Sequence, residues 1–274
     1  MTSIEERANA FRRLHDGPDI LVMPNPWDIG TTRILAGIGF KALATTSGGL
    51  AYSLGRRDGE GAVTREEALE HSAVITGATD LPVNGDLENG FGPDPEDAAA
   101  TIRGAAAAGL VGCSIEDSTS APGEPIYPLS QAVERIAAAV EAARSLPHDF
   151  VLTARAENFL HGRADLDDTI MRLQAFEQAG ADVLYAPGLS AIEDIRAVCA
   201  ALSKPVNVLP LSGALSVAEI AEAGARRISL GTGFVRAALG PFLRAAREVH
   251  DQGTFACLDE PVGGRDISPF MLGV

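Results

Sequence analysis

Cysteine, lysine and long hydrophobic runs are all scarce in this sequence of 274 residues. Its three cysteines, Cys113, Cys199 and Cys257, show neither the pairing of a disulfide framework nor the spacing of a metal site, which predicts a reducing, cytoplasmic environment. No apolar run approaches the roughly 18–20 residues of a transmembrane helix, and the polar N-terminal helix has no signal-peptide core. We therefore expect no membrane partner.

Basic residues are outnumbered by acidic ones. The chain has 22 Lys and Arg against 37 Asp and Glu, which gives a net charge of −15. Nucleic acids and anionic membrane surfaces bind basic patches, so neither is an expected partner.

Short apolar runs alternate with helical patterns along the chain. The eight runs cover residues 20–25, 42–47, 81–86, 111–117, 150–155, 182–187, 205–210 and 227–231. Buried strands separated by helices are typical of a parallel sheet, and eight such units predict one (β/α)8 barrel over residues 1–274, preceded by an N-terminal helix. The alternative, an open doubly wound sheet, lacks a GxGxxG motif after its first strand. For residues from about 250 to 274 we predict a C-terminal helical extension that packs on a partner subunit.

Carboxylates follow two neighbouring strands of the predicted barrel, where active sites of this fold lie. Asp86 and Glu88 end the third strand, Glu116 ends the fourth, and Asp58 lies in the long loop after the second. Crowded carboxylates raise one another's pKa, and a divalent cation relieves the repulsion. Oxygen ligands without histidine or cysteine favour Mg²⁺, with Mn²⁺ as the second choice. The alternative is a solvated acidic rim, or helix caps paired with arginines.

Other polar groups are predicted at the same rim. The backbone N–H groups of Ser47, Gly48 and Gly49 could bind an anion, although a tight turn would also explain the glycines. Arg155 ends the fifth strand and could bind a carboxylate in a bidentate manner, or form a structural salt bridge with a rim acid. Asn207 lies in the seventh strand.

Four motifs occur in a fixed order along nearly the whole chain: "TTSGGLAYSLGRRDGE", "DLENGFG", "SIED" and "TARAENF". In these motifs the sequence resembles the isocitrate lyase/phosphoenolpyruvate mutase superfamily. The resemblance implies a (β/α)8 barrel, Mg²⁺, chemistry of small 2-oxo acids through an enolate, and homotetramers in which a C-terminal helix is exchanged between subunits.

The resemblance also implies roles for individual residues. Asp86 would contact Mg²⁺ directly, and Asp58, Glu88 and Glu116 would hold it through water. The substrate would be bound by Asp86, by the Ser47, Gly48 and Gly49 segment, by Arg155 and by Asn207. Asp58, Glu116 and Arg155 are the residues expected to act in catalysis.

The loop after "SIED" departs from the superfamily pattern. Lyases of the superfamily carry a K-(K/R)-C-G-H motif there, whose cysteine is the general acid. This chain reads "STSAPGEPIYPLSQ" over Ser118–Gln131, without cysteine, lysine or histidine. Isocitrate and methylisocitrate lyase activities are therefore not expected, and the loop of the mutases and phosphonopyruvate hydrolases is missing too. Tyr127 could replace the acid, but we interpret it first as a packing residue.

The expected function is that of a metal-dependent enzyme. The only lysines, Lys41 and Lys204, precede predicted strands and so lie at the far end of the barrel, which argues against a Schiff base. What remains is a Mg²⁺-dependent lyase or decarboxylase for a small 2-oxo or 2-hydroxy acid, similar to an oxaloacetate decarboxylase. The alternatives are a 2-oxo-acid-binding protein with little catalysis, and an enzyme of C–P bond chemistry.

Overall fold

The computed structural model describes residues 2–119, 121, 123–259 and 261–272. Eight parallel strands form one sheet in the order β1-β8-β7-β6-β5-β4-β3-β2. The strands are β1 (Leu21–Met23), β2 (Leu43–Ala44), β3 (Val83–Asp86), β4 (Gly112–Glu116), β5 (Val151–Arg155), β6 (Val183–Tyr185), β7 (Val206–Val208) and β8 (Arg227–Ser229). A backbone hydrogen bond of 3.0 Å from Ala44 N–H to the Pro24 carbonyl joins the two edges. The nearly closed barrel confirms the predicted fold.

The helices cover the outside of the barrel and its amino-terminal end. They are α1 (Ile4–Asp16), α2 (Ile29–Ile38), α3 (Ser47–Ser53), α4 (Arg65–Thr76), α5 (Pro95–Ala107), α6 (Leu129–Arg144), α7 (Leu166–Gln178), α8 (Ile192–Ala201), α9 (Val217–Glu222), α10 (Gly233–Gln252) and α11 (Gly264–Ile267). Short 3-10 helices follow at Ala256–Leu258 and Ser268–Leu272. Among the described residues, no helix has the length and hydropathy needed to cross a bilayer.

Helix α1 closes the amino-terminal end of the barrel. It begins with a capping box between Ser3 and Glu6, which satisfies its first free N–H groups. Its buried residues Ala8 and Phe11 pack in one cluster with the first residues of several strands, Val151 and Val183 among them. The opposite, carboxyl-terminal end of the barrel carries the candidate site.

His15 is the last buried side chain of α1. Its Nδ1 lies 2.8 Å from the Phe11 carbonyl and its Nε2 lies 3.3 Å from Nη1 of Arg227. The carbonyl requires Nδ1 to carry the proton, so Nε2 accepts from the arginine. Burial, and then the charge of Arg227, lower the pKa of His15 to about 3.

We predict that His15 makes the fold sensitive to acid. The unfolded state binds a proton near pH 6.5 and the folded state only near pH 3, so this contribution to stability is complete above pH 6.5 and is lost as the pH falls toward 3. His15→Gln keeps an acceptor for Arg227 but does not titrate. Between pH 6 and pH 4 the free energy of unfolding of the wild type should fall about 2–3 kcal/mol more than that of the variant. Urea titrations at both pH values measure this, and parallel losses would contradict it.

Helix α10 and the segment after it expose apolar side chains. Only Val235 of α10 is buried, whereas Phe242 is 64% exposed and Leu243 50%. The end of the chain returns to its own barrel: Arg33 Nη1 donates to the Met271 carbonyl at 3.1 Å, and the Phe270 ring lies where a Cβ on Gly37 would be. The end of the predicted extension thus packs on α2 of the same chain. The packing of residues 250–274 on a partner subunit stays a prediction.

Candidate active site

Five carboxylates surround one arginine at the carboxyl ends of β3, β4 and β5. We call this set the acid ring; it consists of Asp58, Asp86, Glu88, Glu116, Glu157 and the central Arg155. The strand register places Asp86 beside Ser114 and Glu116 beside Arg155, so the last residues of adjacent strands meet at one rim. The structure therefore brings together the four carboxylates named from the sequence and adds Glu157.

Arg155 is the centre of the acid ring. Its Nη1 donates to Asp86 Oδ1 at 2.8 Å, its Nη2 lies 2.9 Å from Glu116 Oε2, and its Nε donates to Glu157 Oε1 at 2.9 Å. Burial alone would lower the pKa of Arg155, but these three carboxylates raise it well above its ordinary value. The guanidinium of Arg155 is thus held by salt bridges with rim acids, which was the alternative to substrate binding given for this residue. A substrate carboxylate would have to share it with the acids.

Ser47, Gly48 and Gly49 form the first turn of α3, which Thr46 caps. The N–H and hydroxyl of Ser47 both donate to Asp86 Oδ2, at 3.0 and 2.9 Å, and the Gly49 N–H donates to the Thr46 hydroxyl at 3.2 Å. Two of these three backbone N–H groups therefore already have partners. The anion-binding role of the segment stays a prediction.

Gly48 explains how Asp58 reaches the ring from a distant loop. A Cβ on Gly48 would overlap Asp58 Oδ2, so only glycine lets that carboxylate lie against the turn. Burial, and then the charges of Asp86 and Glu116, raise the pKa of Asp58. The same causes, with Asp58 in addition, raise the pKa of Glu88 to about 8. The ring therefore holds more negative charge than Arg155 offsets.

Glu88 adopts a backbone conformation that is unusual for a residue with a side chain. Its φ is +47°, in the left-handed region. Such strain persists where the surrounding structure demands it, often at functional sites. Here it accompanies a Glu88 carboxyl group whose pKa is raised by burial and by the charges of three nearby acids.

The side-chain positions are those of ion pairs. Within the described residues, no three His, Cys, Asp or Glu side chains are arranged around a point where a metal ion could sit. The reason is that Arg155 and Ser47 occupy both oxygens of Asp86, and Ser118 donates to Glu116. The donor set itself, carboxylates only with excess negative charge, fits a hard divalent ion such as Mg²⁺. Binding of such an ion in the acid ring would require Asp86 to give up its contacts with Arg155 and Ser47.

Sequence reasoning places Glu157 at the carboxyl end of the fifth strand with Arg155 but assigns it no role in the site. Its side chain is 3% exposed, and burial raises its pKa although Arg155 opposes this. The signal was present in "ARAE", because a carboxylate two residues after a strand-end arginine can fold back onto it.

Asn207 lies deeper inside the barrel than its predicted place at the rim. Its Oδ1 accepts from Arg227 and its Nδ2 donates to Ser229. Its role in substrate binding stays a prediction.

The loop after β4 is fastened at both ends by Arg172 of α7. Nη1 of this buried arginine donates to Asp117 Oδ2 and to the Tyr127 carbonyl, both at 3.0 Å. The Tyr127 N–H donates to the Asp117 carbonyl at 2.8 Å, and Asp117 Oδ1 accepts from the Glu157 N–H at 2.8 Å. Arg172 thus joins the start of the loop to its end, and Asp117 links both to Glu157, just after β5.

We predict that Arg172 keeps the β4 loop closed at its base. Arg172→Gln cannot make all of these contacts, and hydrogen bonds to charged groups contribute about 1.5–3 kcal/mol each. The opened loop should become roughly tenfold or more populated. Thermolysin cleavage within residues 118–128 should accelerate by that factor under native conditions. Arg163→Gln, an exposed arginine near the same face, is the matched control. Equal cleavage rates in the two variants would contradict the prediction.

A cleft of about 800 Å³ opens beside the acid ring, between the loops that follow β2, β3 and β4. Glu88 contributes to its wall, as do the apolar residues Val63, Phe91 and Ile126. Tyr127 also lines it, but this side chain is only 7% exposed and packs under the Arg135 guanidinium at 4.6 Å. This position supports its interpretation as a packing residue.

Comparison with known proteins identifies the family. A family profile described as phosphoenolpyruvate phosphomutase matches residues 11–250. The chain belongs to the phosphoenolpyruvate phosphomutase family. Its fold is similar to a crystal structure from Burkholderia cenocepacia, provisionally described as a lyase/mutase, with 54% identity, a TM-score of 0.95 and coverage of 98% of this chain and 97% of the other.

Two further relatives are lyases by name. A probable 2-methylisocitrate lyase of Corynebacterium glutamicum is 31% identical over 207 residues, which cover 73% of this chain and 66% of that protein. The crystal structure of a 2,3-dimethylmalate lyase is similar at 25% identity, with a TM-score of 0.86 and coverage of 99% of this chain and 95% of the other. The resemblance stated from the motifs is confirmed: the chain is a member of a group of lyases and mutases.

Proposed function

We propose that this member of the family is a Mg²⁺-dependent carbon–carbon lyase or decarboxylase that acts on a small 2-oxo or 2-hydroxy carboxylic acid. The observation that carries the proposal is the acid ring, in which Asp86, Glu116 and Glu157 pair with Arg155 while burial and neighbouring acids raise the pKa of Asp58 and Glu88. The names of two similar proteins, 2-methylisocitrate lyase and 2,3-dimethylmalate lyase, support the class of reaction.

In the proposed site Asp86 would contact the metal, and Asp58, Glu88 and Glu116 would hold it through water. Bound there, the cation would offset the negative charge that develops on the C2 oxygen of the substrate. Asp86 would turn from Arg155 toward the ion, which leaves Nη1 of the arginine free to bind the substrate carboxylate. The Ser47 N–H and hydroxyl, released from Asp86 by the same movement, would complete the carboxylate site.

The chemistry then needs little help from other side chains. In the decarboxylation of a 2-oxo diacid, the bond to the distal carboxyl group breaks, CO₂ leaves, and the electron pair moves into an enolate. Water entering from the cleft supplies the proton that converts the enolate to the 2-oxo acid product. A loop without cysteine, lysine or histidine, as here over Ser118–Gln131, is sufficient for such a step.

Turnover of a substrate panel tests the proposal. The purified chain with Mg²⁺ should release a 2-oxo acid from at least one C4–C6 2-oxo or 2-hydroxy diacid, and EDTA should abolish this release. Metal-dependent binding of such acids without product would instead support a 2-oxo-acid-binding protein. Phosphate release from phosphonopyruvate would support C–P bond chemistry. Either of these results, or neither binding nor turnover of any acid, would overturn the proposal that the protein is a lyase.

We also propose that α10 joins subunits of a homo-oligomer, in line with the tetramers that the family resemblance implies. The apolar side chains of Leu239, Phe242 and Leu243 are 38–64% exposed in the single chain. Light scattering after size exclusion should give a mass of several chains for the wild type and a lower mass for Phe242→Asp. A monomeric wild type would contradict this proposal without bearing on the lyase.

A further inference from the structure

A second, smaller cavity lies inside the barrel below the acid ring. Its volume is about 40 Å³, enough for a few water molecules or a single ion of halide size. Asp86 and Arg155 stand at one end, and Arg227 of β8 lines it farther down, where it contacts Thr153 of β5 and His15 of α1. The cavity therefore connects the candidate site with the middle of the barrel.

Arg227 is a buried cation without an acidic partner among the described residues. It is 2% exposed, and its contacts are the Asn207 side-chain oxygen at 2.8 Å, the Thr153 hydroxyl at 2.8 Å and the neutral His15 ring at 3.3 Å. Burial lowers the pKa of Arg227 to about 9, so it remains charged at neutral pH. A buried charge without a counter-charge is costly, and this one belongs to a barrel whose other central arginine has three acids.

Arg227 has more N–H donors than the described residues around it accept. A guanidinium has five N–H groups, and three of those of Arg227 have partners in the described chain. Hydroxyl groups of Thr45, Ser114, Tyr185 and Ser229 also line the space. Asp86, the carboxylate that lines the cavity, already accepts from Ser47 and Arg155.

One acceptor in the cavity wall is incomplete as well. The Oδ1 atom of Asn84 is buried and has no hydrogen-bond partner among the described residues. Buried polar groups in native proteins nearly always have a partner, so the wall of this cavity is complete only with an occupant. A water molecule can donate to Asn84 Oδ1 and an anion cannot, so the case for an anion rests on the unpaired charge of Arg227 and on its two N–H groups without an acceptor.

We propose that the cavity beside Arg227 is a binding site for a small monoanion, either an inorganic ion of halide size or the carboxylate group of a bound acid. The ion would accept the two spare N–H groups of Arg227 and the hydroxyl groups of the wall. It would supply the acidic partner that Arg227 lacks among the described residues.

Bromide diffraction tests the site directly. Crystals of the full chain soaked in sodium bromide should show an anomalous peak within hydrogen-bonding distance of the Arg227 guanidinium. A second soak adds pyruvate and Mg²⁺: loss of the peak assigns the site to a carboxylate, and its persistence assigns it to an inorganic ion. Absence of a bromide peak at Arg227 in the first soak would overturn the proposal.

Thermal unfolding provides the matched control. For the wild type and for Arg226→Met, an exposed neighbour of the same charge, the midpoint should rise about 3 °C for each tenfold increase of bromide above its Kd, relative to gluconate at equal ionic strength. Arg227→Met should show no such rise. A rise that Arg227→Met retains, or a peak without any rise in the wild type, would mean an adventitious ion only and overturn the proposal. If Arg227→Met does not fold, the wild-type diffraction and unfolding data decide.

Discussion

Asp86→Ala should lower turnover of any substrate of this protein at least about 10³-fold. Asp86 is the carboxylate that we place directly on the metal, and it also holds Ser47 and Arg155 in position through three hydrogen bonds. The loss should appear in kcat, because charge stabilisation at the C2 oxygen acts mainly in the transition state. Raising Mg²⁺ should not restore the activity.

A control separates this effect from a general loss of negative charge at the rim. Glu66 is an exposed acid of α4 that lines the neighbouring cleft and lies outside the acid ring. Glu66→Gln should keep kcat within a few-fold of the wild type. Full activity in Asp86→Ala, or equal losses in the two variants, would remove the basis for assigning Asp86 to the metal.

Arg155→Leu should lower the free energy of unfolding by about 3–5 kcal/mol in metal-free buffer at pH 8. The substitution leaves Asp86, Glu116 and Glu157 next to one another without a cation. Burial already raises the pKa of Glu157, and removal of Arg155 takes away the charge that opposes this rise, so lowering the pH to 5 lets Glu157 bind a proton and should recover part of the loss. Urea titrations at the two pH values measure both effects.

The same variant offers a second readout, because a divalent cation can replace the missing guanidinium charge. Added Mg²⁺ should stabilise Arg155→Leu more than the wild type. Arg196→Leu, an exposed arginine on α8, is the control and should be close to the wild type in stability. If Arg155→Leu is as stable as Arg196→Leu at pH 8, the salt bridges of the acid ring do not contribute the expected free energy of unfolding.

Much of the fold and of the ring follows from local sequence patterns. Continuous apolar runs such as 150–155 predicted all eight strands, because a strand covered on both faces has no polar alternation. The rule that parallel strands end at one rim then brought Asp86, Glu116 and Arg155 together without knowledge of any contact.

The contacts within the site depend on side chains from distant elements, and local patterns do not contain them. Arg172 meets Asp117 across 55 residues and Arg227 meets His15 across 212, so neither pair leaves a periodic signal. Asn207 illustrates the limit. Its strand was predicted from the sequence, but its hydrogen-bond partner, Arg227 on the neighbouring strand, was not. The chain end was predicted to lie outside the barrel, but its return to α2 depends on the close fit of Phe270 against Gly37.

Calorimetric titration of the metal-free chain with Mg²⁺ in the presence of pyruvate tests the central claim most directly. The account predicts saturable binding of one Mg²⁺ per chain in the wild type and in Glu66→Gln, with no measurable binding in Asp86→Ala. Absence of saturable binding in the wild type, or the same binding in Asp86→Ala, would contradict the assignment of the acid ring as a metal-dependent active site.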